Sequence, residues 1–341
     1  MMQISPETQL FIREHSSDDV RVLALQAKKY PDIDMPTAIT QIAGRKVAAE
    51  KIPSWWEIEK IWYPKHLSLE QCSSEITARY KARLLQGDSL TDLTGGFGID
   101  CSFLATGFKS ATYVERQEEL CEIAAHNFPV LNLNHINIKN EDGVTYLQAM
   151  SPVDCLFLDP ARRNEHGGKT VAISDCEPNV AELEELLLQK ANRVMIKLSP
   201  MLDLSLALKE LKQTQEVHIL SVNNECKELL ILLGQTSPAE ISIHCVNLFT
   251  KGTQKEQHFV FTREQEQCSE CTYTDSLETY LYEPNASLLK AGAFRSIAAA
   301  YPVRKLHPNS HLYTSDTFIE NFPGRIFRIV NQCSFNKKEV K

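Results

Sequence analysis

The chain has 341 residues, 43% of them hydrophobic, and a formal net charge of −8 at pH 7. That length supports two or three domains with sizeable cores, and it excludes a disordered chain or a small disulfide scaffold. The acidic total argues against a uniformly basic nucleic-acid binder. It hides an asymmetry, however: residues 283–341 carry nine Lys and Arg against four Asp and Glu, net +5, which leaves 27 against 40, net −13, for residues 1–282. A basic tail on an acidic body points to an anionic partner for the tail.

The N-terminal stretch "MMQISPETQLFIREHSSDD" lacks the basic-then-apolar layout of a signal peptide, and no apolar run reaches about 18 residues. The expected location is therefore cytoplasmic, with no membrane segment. The ten cysteines then read as reduced thiols, most of them small buried hydrophobes. Cys268-Ser-Glu-Cys271 has metal or redox spacing, but no second pair accompanies it, and no metal site is expected.

From Pro6 to about Leu84 the pattern is helical. "SSDDVRVLAL" offers Ser16 or Ser17 as an N-cap, and "PTAITQIAGRKVAAEKIP" is a helix bounded by prolines. From Ser89 to Gly234 strand-like runs alternate with helical ones: "SLTDL", "ATYVE", "HINIK", "VDCLFL", "RVMIKL", "EVHILSV" and "KELLILL". Strands separated by helices predict a parallel sheet covered on both faces. Only "NNEC" separates the last two runs, too little for a parallel crossover, so the seventh strand should turn back antiparallel to the sixth. Two further strand-like runs, "SPAEISIHCVNLF" and "EQHFVFTREQE", precede the basic tail.

The first strand run opens into "TDLTGGFGID", with three glycines in four residues. Such a loop between strand and helix lets the backbone approach a ligand closely. A nicotinamide dinucleotide would set its diphosphate there, where Asp92 would repel it. S-adenosylmethionine brings an ammonium and a sulfonium instead, which Asp92 attracts. The dinucleotide fingerprint G-x-G-x-x-G also fails, because Cys101 stands three residues after Gly98. Asp92, Thr94, Gly95, Gly96, Phe97, Gly98 and Asp100 are thus the expected loop contacts to S-adenosylmethionine. Glu115, ending the second strand run, can accept from both ribose hydroxyls. Asp142, after the third, is placed for the adenine amine, a role Glu141 could fill instead.

The fourth strand run ends in "LFLDPARR". A carboxylate at a strand's carboxyl end, stiffened by Pro160, stands where open α/β sheets bind ligands. Asp159 could orient a substrate nitrogen or take its proton. Arg162 and Arg163 suit bidentate binding of phosphate oxygens, and Lys197 lies at the same sheet edge.

Together, "DLTGGFGID", "YVE", "LFLDPARR" and "IKLSP" resemble the class I S-adenosylmethionine-dependent methyltransferases, and more narrowly the bacterial branch with a C-terminal THUMP-like domain. The likeness runs upstream through "KIPSWWEIEKIWYPKHLSLEQCSSEITARYKARL" and downstream through "SVNNECKELLILLG", "YLYEPNASLLKAGAFRSIAAAYPVRKLHPNSHLYTSD" and "FPGRIF". It implies a helical N-terminal domain over 1–84 and a Rossmann-like, seven-stranded catalytic domain over 85–235. A small ferredoxin-like α+β domain over 236–282 and a THUMP-like domain over 283–341 would follow. THUMP domains are associated with RNA binding, so the resemblance implies an RNA substrate, tRNA or rRNA. Enzymes acting on exocyclic amines commonly follow the carboxylate or amide with two prolines and an aromatic that stacks on the base. Here Ala161 and Arg162 fill the last two places, so base stacking must come from elsewhere or the acceptor is not an exocyclic amine.

The reading is a methyltransferase acting on an RNA base, with Asp159, Pro160 and Lys197 at the chemistry. Arg162, Arg163, Arg295, Arg304, Lys305 and Arg325 would lie on phosphates. A non-catalytic RNA-binding protein of the same fold, and a methyltransferase for a protein or small molecule, are the rivals.

Overall fold

A computed structural model describes residues 4–162, 172–236 and 238–332. The chain divides into two compact units, one formed by Met1–Ala161 with Pro178–Ile196, the other by Arg162–Glu177 with Lys197–Lys341.

The first unit opens with helices α1 (Pro6–Glu14), α2 (Val20–Leu25), α3 (Met35–Lys51), α4 (Pro53–Trp56), α5 (His66–Gln71) and α6 (Glu75–Ala82). Local chemistry sets their ends. Ser5 caps α1, its side chain accepting from Thr8 N, and Asp34 caps α3 through Thr37 N. Each of these helices carries a proline in its first turn, where no N–H is missed. The cap of α2 is Asp19 rather than Ser16 or Ser17, because its carboxylate accepts from Arg21 N once residues 15–18 have formed a turn. Phe11, Leu23, Met35, Ala38 and Ile42 close a core among α1, α2 and α3.

Strands β1 (Ser89–Asp92), β2 (Ser110–Glu115), β3 (Ile136–Asn140), β4 (Val153–Leu158) and β5 (Ala191–Leu198) alternate with α7 (Ile99–Ala105), α8 (Glu118–Val130), α9 (Gly143–Ala149) and α10 (Val180–Lys190). They pair in parallel in the order β3-β2-β1-β4-β5. Because the chain runs outward from β1 to β3 and then returns to β4, the order reverses between β1 and β4. Open α/β sheets bind ligands beyond the carboxyl ends of the strands at such a reversal. A second core, with Trp55, Ile61 and Tyr63 from the N-terminal segment against Phe97, Ile99 and Ile123, joins the early helices to this sheet. The compact unit therefore runs across the expected boundary at residue 84.

The second unit holds β6 (Thr214–Val222), β7 (Glu225–Gly234), β8 (Ser242–Leu248) and β9 (Glu256–Thr262), hydrogen-bonded in the order β7-β6-β8-β9. As expected, β7 turns back antiparallel to β6. The two-residue loop Asn223-Asn224 makes this possible, with φ of 49° and 66°, the left-handed pair a type I′ hairpin requires. The two runs placed over 236–282 pair onto β6 rather than standing apart: β8 pairs in parallel with β6 and β9 antiparallel with β8, satisfying the edge of β6. A small separate sheet follows, from β10 (Tyr280–Pro284), β11 (Tyr313–Ser315) and β12 (Gly324–Arg328), with the short strand Arg304–Lys305 beside β11. No helix of the described residues is long and apolar enough to cross a membrane.

Candidate functional site

After Asp92 the chain leaves β1 and enters α7 through Leu93–Gly98. The loop is tied to both neighbouring strands: Leu93 N–H donates to Phe157 O on β4 at 3.0 Å, and Gly95 N–H to Val114 O on β2 at 2.9 Å. Its three glycines serve different needs. A Cβ on Gly95 would come within 2.2 Å of the Tyr113 ring. Gly98 stands at φ 86° as the cap of α7, where a Cβ would meet the Phe128 ring at 3.1 Å. Gly96, at φ 55°, has no neighbour nearer to such a Cβ than a backbone oxygen at 3.8 Å. Two glycines thus fit the loop to the core, and the third leaves its surface open to a ligand.

Carboxylates line this opening. Asp92 is 1% exposed; its Oδ1 accepts from Thr94 N at 3.0 Å. Its Oδ2 is buried with no hydrogen-bond partner among the described residues. Burial pushes the Asp92 carboxyl up to about 8; the Thr94 N–H bond opposes this, and repulsion from Asp100, Asp159 and Glu115 adds to it. Glu115 ends β2 with Oε2 accepting from Gly96 N at 2.9 Å and Oε1 from Gln117 N at 2.8 Å. Thr94 bridges the reversal point, its Oγ1 accepting from Asp159 N at 2.6 Å. Asp92, Glu115 and Asp159 are therefore brought together around one loop, as their positions at three strand ends predict.

Other expected residues fall elsewhere. The Phe97 side chain is not at the opening: it is buried in the second core, its ring edge-on to Trp55 at 5.1 Å. An aromatic between two glycines reads as exposed until its partners from α4 are in place. Asp100 is likewise engaged inside the fold. Its Oδ1 pairs with Lys81 Nζ at 2.9 Å and its Oδ2 accepts from Ser73 Oγ at 2.7 Å, while Lys81 also donates to Ser73 Oγ at 2.9 Å. Lys81 is 0% exposed and went unnoticed in the sequence, where it reads as one more surface lysine. Asp142 caps α9, its Oδ1 accepting from Val144 N, Thr145 N and the Thr145 hydroxyl. Pro160 is buried. Lys197 is buried and belongs to the second unit. Arg162 stands in the two-residue strand Ala161–Arg162, and Arg163 lies outside the described residues.

The tail cations are largely committed within their own unit. Arg304 pairs with Glu278, and Arg325 donates to Glu283 Oε2 at 2.7 Å. The Arg295 guanidinium donates to Gln267 O at 3.0 Å. Lys305 cannot be a docking residue as expected: it is 3% exposed, donates to Pro308 O at 2.8 Å and lies 5.4 Å over the Phe294 ring. Its place in a short strand turns its stem inward.

A family model described as a ferredoxin-like domain matches residues 280–323. That stretch falls almost wholly in the segment expected to be THUMP-like and holds β10 and β11. No curated protein matches the chain. Among solved structures, a protein from Porphyromonas gingivalis W83, provisionally described as a methyltransferase, is 34% identical over 97% of this chain and 84% of its own, with a TM-score of 0.84. A modification subunit provisionally assigned to a type I restriction enzyme of Vibrio vulnificus YJ016 is 12% identical over 59% of this chain and 56% of its own, TM-score 0.40. A Streptococcus mutans protein, provisionally described as a methyltransferase and solved with SAH, is 13% identical over 47% of this chain and 96% of its own, TM-score 0.34. By its identity to the first of these along nearly its whole length, the chain belongs to the methyltransferase family of the Porphyromonas gingivalis protein.

Proposed function

We propose that this methyltransferase uses S-adenosylmethionine and that its acceptor is a base in RNA. One observation carries the cofactor assignment: a carboxylate oxygen of Asp92, buried and without a hydrogen-bond partner, beside a glycine whose outer face is open. A cationic ammonium compensates such an oxygen, whereas a diphosphate would repel it. When bound, S-adenosylmethionine supplies an electrophilic methyl group on a sulfonium.

This chain's residues would bind, orient and align. Asp92 holds the ammonium of the methionine end. Each Glu115 oxygen already accepts one backbone N–H and retains a lone-pair site, so the pair can take the two ribose hydroxyls without leaving the loop. Asp142 keeps Oδ2 for the adenine amine while Oδ1 caps α9. The Asp159 backbone is pinned by Thr94, and its carboxylate orients the acceptor and receives its proton. Methyl transfer is limited chiefly by alignment, which a loop tied to β2 and β4 supplies.

For the acceptor, the support is the +5 balance of residues 283–341, with Arg295, Arg304, Arg325 and Arg328 exposed on the second unit. The pairing of Arg304 and Arg325 with Glu278 and Glu283 consumes part of that charge, and it favours the rival reading of a protein or small-molecule acceptor. Mass spectrometry of nucleosides from cells with and without the gene separates the two. A methylated nucleoside lost from tRNA or rRNA and restored by the wild type but not by Asp159→Asn supports the RNA reading; unchanged RNA supports the rival.

A further inference from the structure

Three histidines and a glutamate meet on one face of the second unit's strands. In the register of β6 and β8, Ser242 stands beside Glu216 and His244 beside His218. Alternate residues of a strand share a face, so all four project from the same side. On β9, His258 lies opposite Val246, two residues along from His244. The His218 and His244 rings stack at 4.3 Å, and His258 continues the stack at 5.3 Å.

The ring nitrogens have distinct neighbours. His218 Nε2 lies 3.3 Å from Glu216 Oε2, and His244 Nε2 lies 3.3 Å from Ser242 Oγ. Both Nε2 atoms are thus turned toward the Glu216–Ser242 pair. His244 Nδ1 faces the other way, 3.1 Å from His258 Nε2. One ligand atom each from Glu216, His218 and His244 lie within 4.8 Å of one another. Four-coordinate zinc, with bonds of about 2.0–2.1 Å, holds its ligand atoms roughly 3.3–3.4 Å apart, so an ion draws the three atoms in by an ångström or so and turns the stacked His218 and His244 rings until both lone pairs, which lie in the ring planes, point at it.

We propose that Glu216, His218 and His244 form a binding site for a divalent late-transition metal of the zinc type, with His258 fixing the tautomer of His244 through its Nδ1. His218 is buried, Glu216 and His244 are part-exposed, and His258 is exposed, so the ion has an approach from the sheet surface. A hydrogen-bonded partner on the second nitrogen is the usual support of a metal-binding histidine. The residues come from three strands, so no spacing along the chain reveals them, in contrast to Cys268 and Cys271.

The test is Co2+ titration of the full chain in a Cys268→Ser/Cys271→Ser background, followed by ligand-field absorption and elemental analysis. A single Co2+ per chain should give the intense visible band of a four-coordinate site, and Zn2+ should displace it. His244→Phe, which keeps an aromatic ring in the stack, should abolish the band, and His258→Ala should weaken binding by about tenfold. Glu216→Gln, a surface-accessible change that should leave folding intact, should weaken it at least as much. Absence of the band in the parent protein overturns the proposal. So does unchanged affinity in Glu216→Gln, which would mean that the histidines only pack.

Discussion

A carboxyl group held as deeply as that of Asp92 changes how the protein responds to pH. Its folded value of about 8 stands above the ordinary 3.8. Between those values the folded chain keeps a proton that the unfolded chain has released, so the group's contribution to stability falls as pH rises through that window and levels off above it. Asp92→Asn should therefore raise the melting temperature of the ligand-free protein at pH 7 by a few degrees and leave it nearly unchanged at pH 4, as differential scanning calorimetry would show. The same substitution should abolish cofactor binding, the reverse of its effect on stability. For the wild type, affinity should strengthen as pH rises toward about 8, because the ammonium needs the ionised carboxylate. Gly95→Ala should behave oppositely to Asp92→Asn. The new methyl group meets the Tyr113 ring, and overpacking of this kind costs about 1–3 kcal/mol. Denaturant unfolding would register that loss without any ligand present.

At the scale of elements, α6 and α7 are joined by the buried pair Lys81–Asp100. Removing one partner of such a pair strands the other charge and costs about 3–5 kcal/mol, while removing both can be nearly neutral. Lys81→Met should accordingly destabilise the protein strongly, and Lys81→Met/Asp100→Asn should recover much of the loss in urea unfolding. This pairing explains why part of the site was legible and part was not. Strand ends follow from the alternation of strand and helix runs, so Asp92, Glu115 and Asp159 could be placed from the sequence alone. The fates of Phe97 and Asp100 depend on residues about 20 to 40 positions upstream, brought in by helix packing that no local pattern encodes. The pairing of β8 and β9 onto β6 was hidden for a related reason. Strand-like runs after Gly234 were visible, but which edge they would join was not.

On the scale of the whole molecule, the charge asymmetry survives but its surface is smaller than the composition implies. Lys305 is internal, and Arg304 and Arg325 are paired. If RNA docks on the second unit, the exposed cations must carry it. Arg304→Gln/Arg328→Gln should weaken binding of bulk tRNA and flatten its dependence on salt, since binding with fewer phosphate contacts releases fewer counterions. Filter binding at several salt concentrations would show superimposable curves if the tail has no such role. Lys305→Ala, by contrast, should lower stability, because it removes the donor to Pro308 O and the cation over Phe294.

The central claim, that the loop from Asp92 to Gly98 is a site for a methionine-derived cofactor, is tested most directly by calorimetric titration with S-adenosylhomocysteine and, separately, with NAD. The account predicts one site per chain for S-adenosylhomocysteine, lost in Asp92→Asn, and no heat from NAD. Binding of NAD without binding of S-adenosylhomocysteine would contradict it.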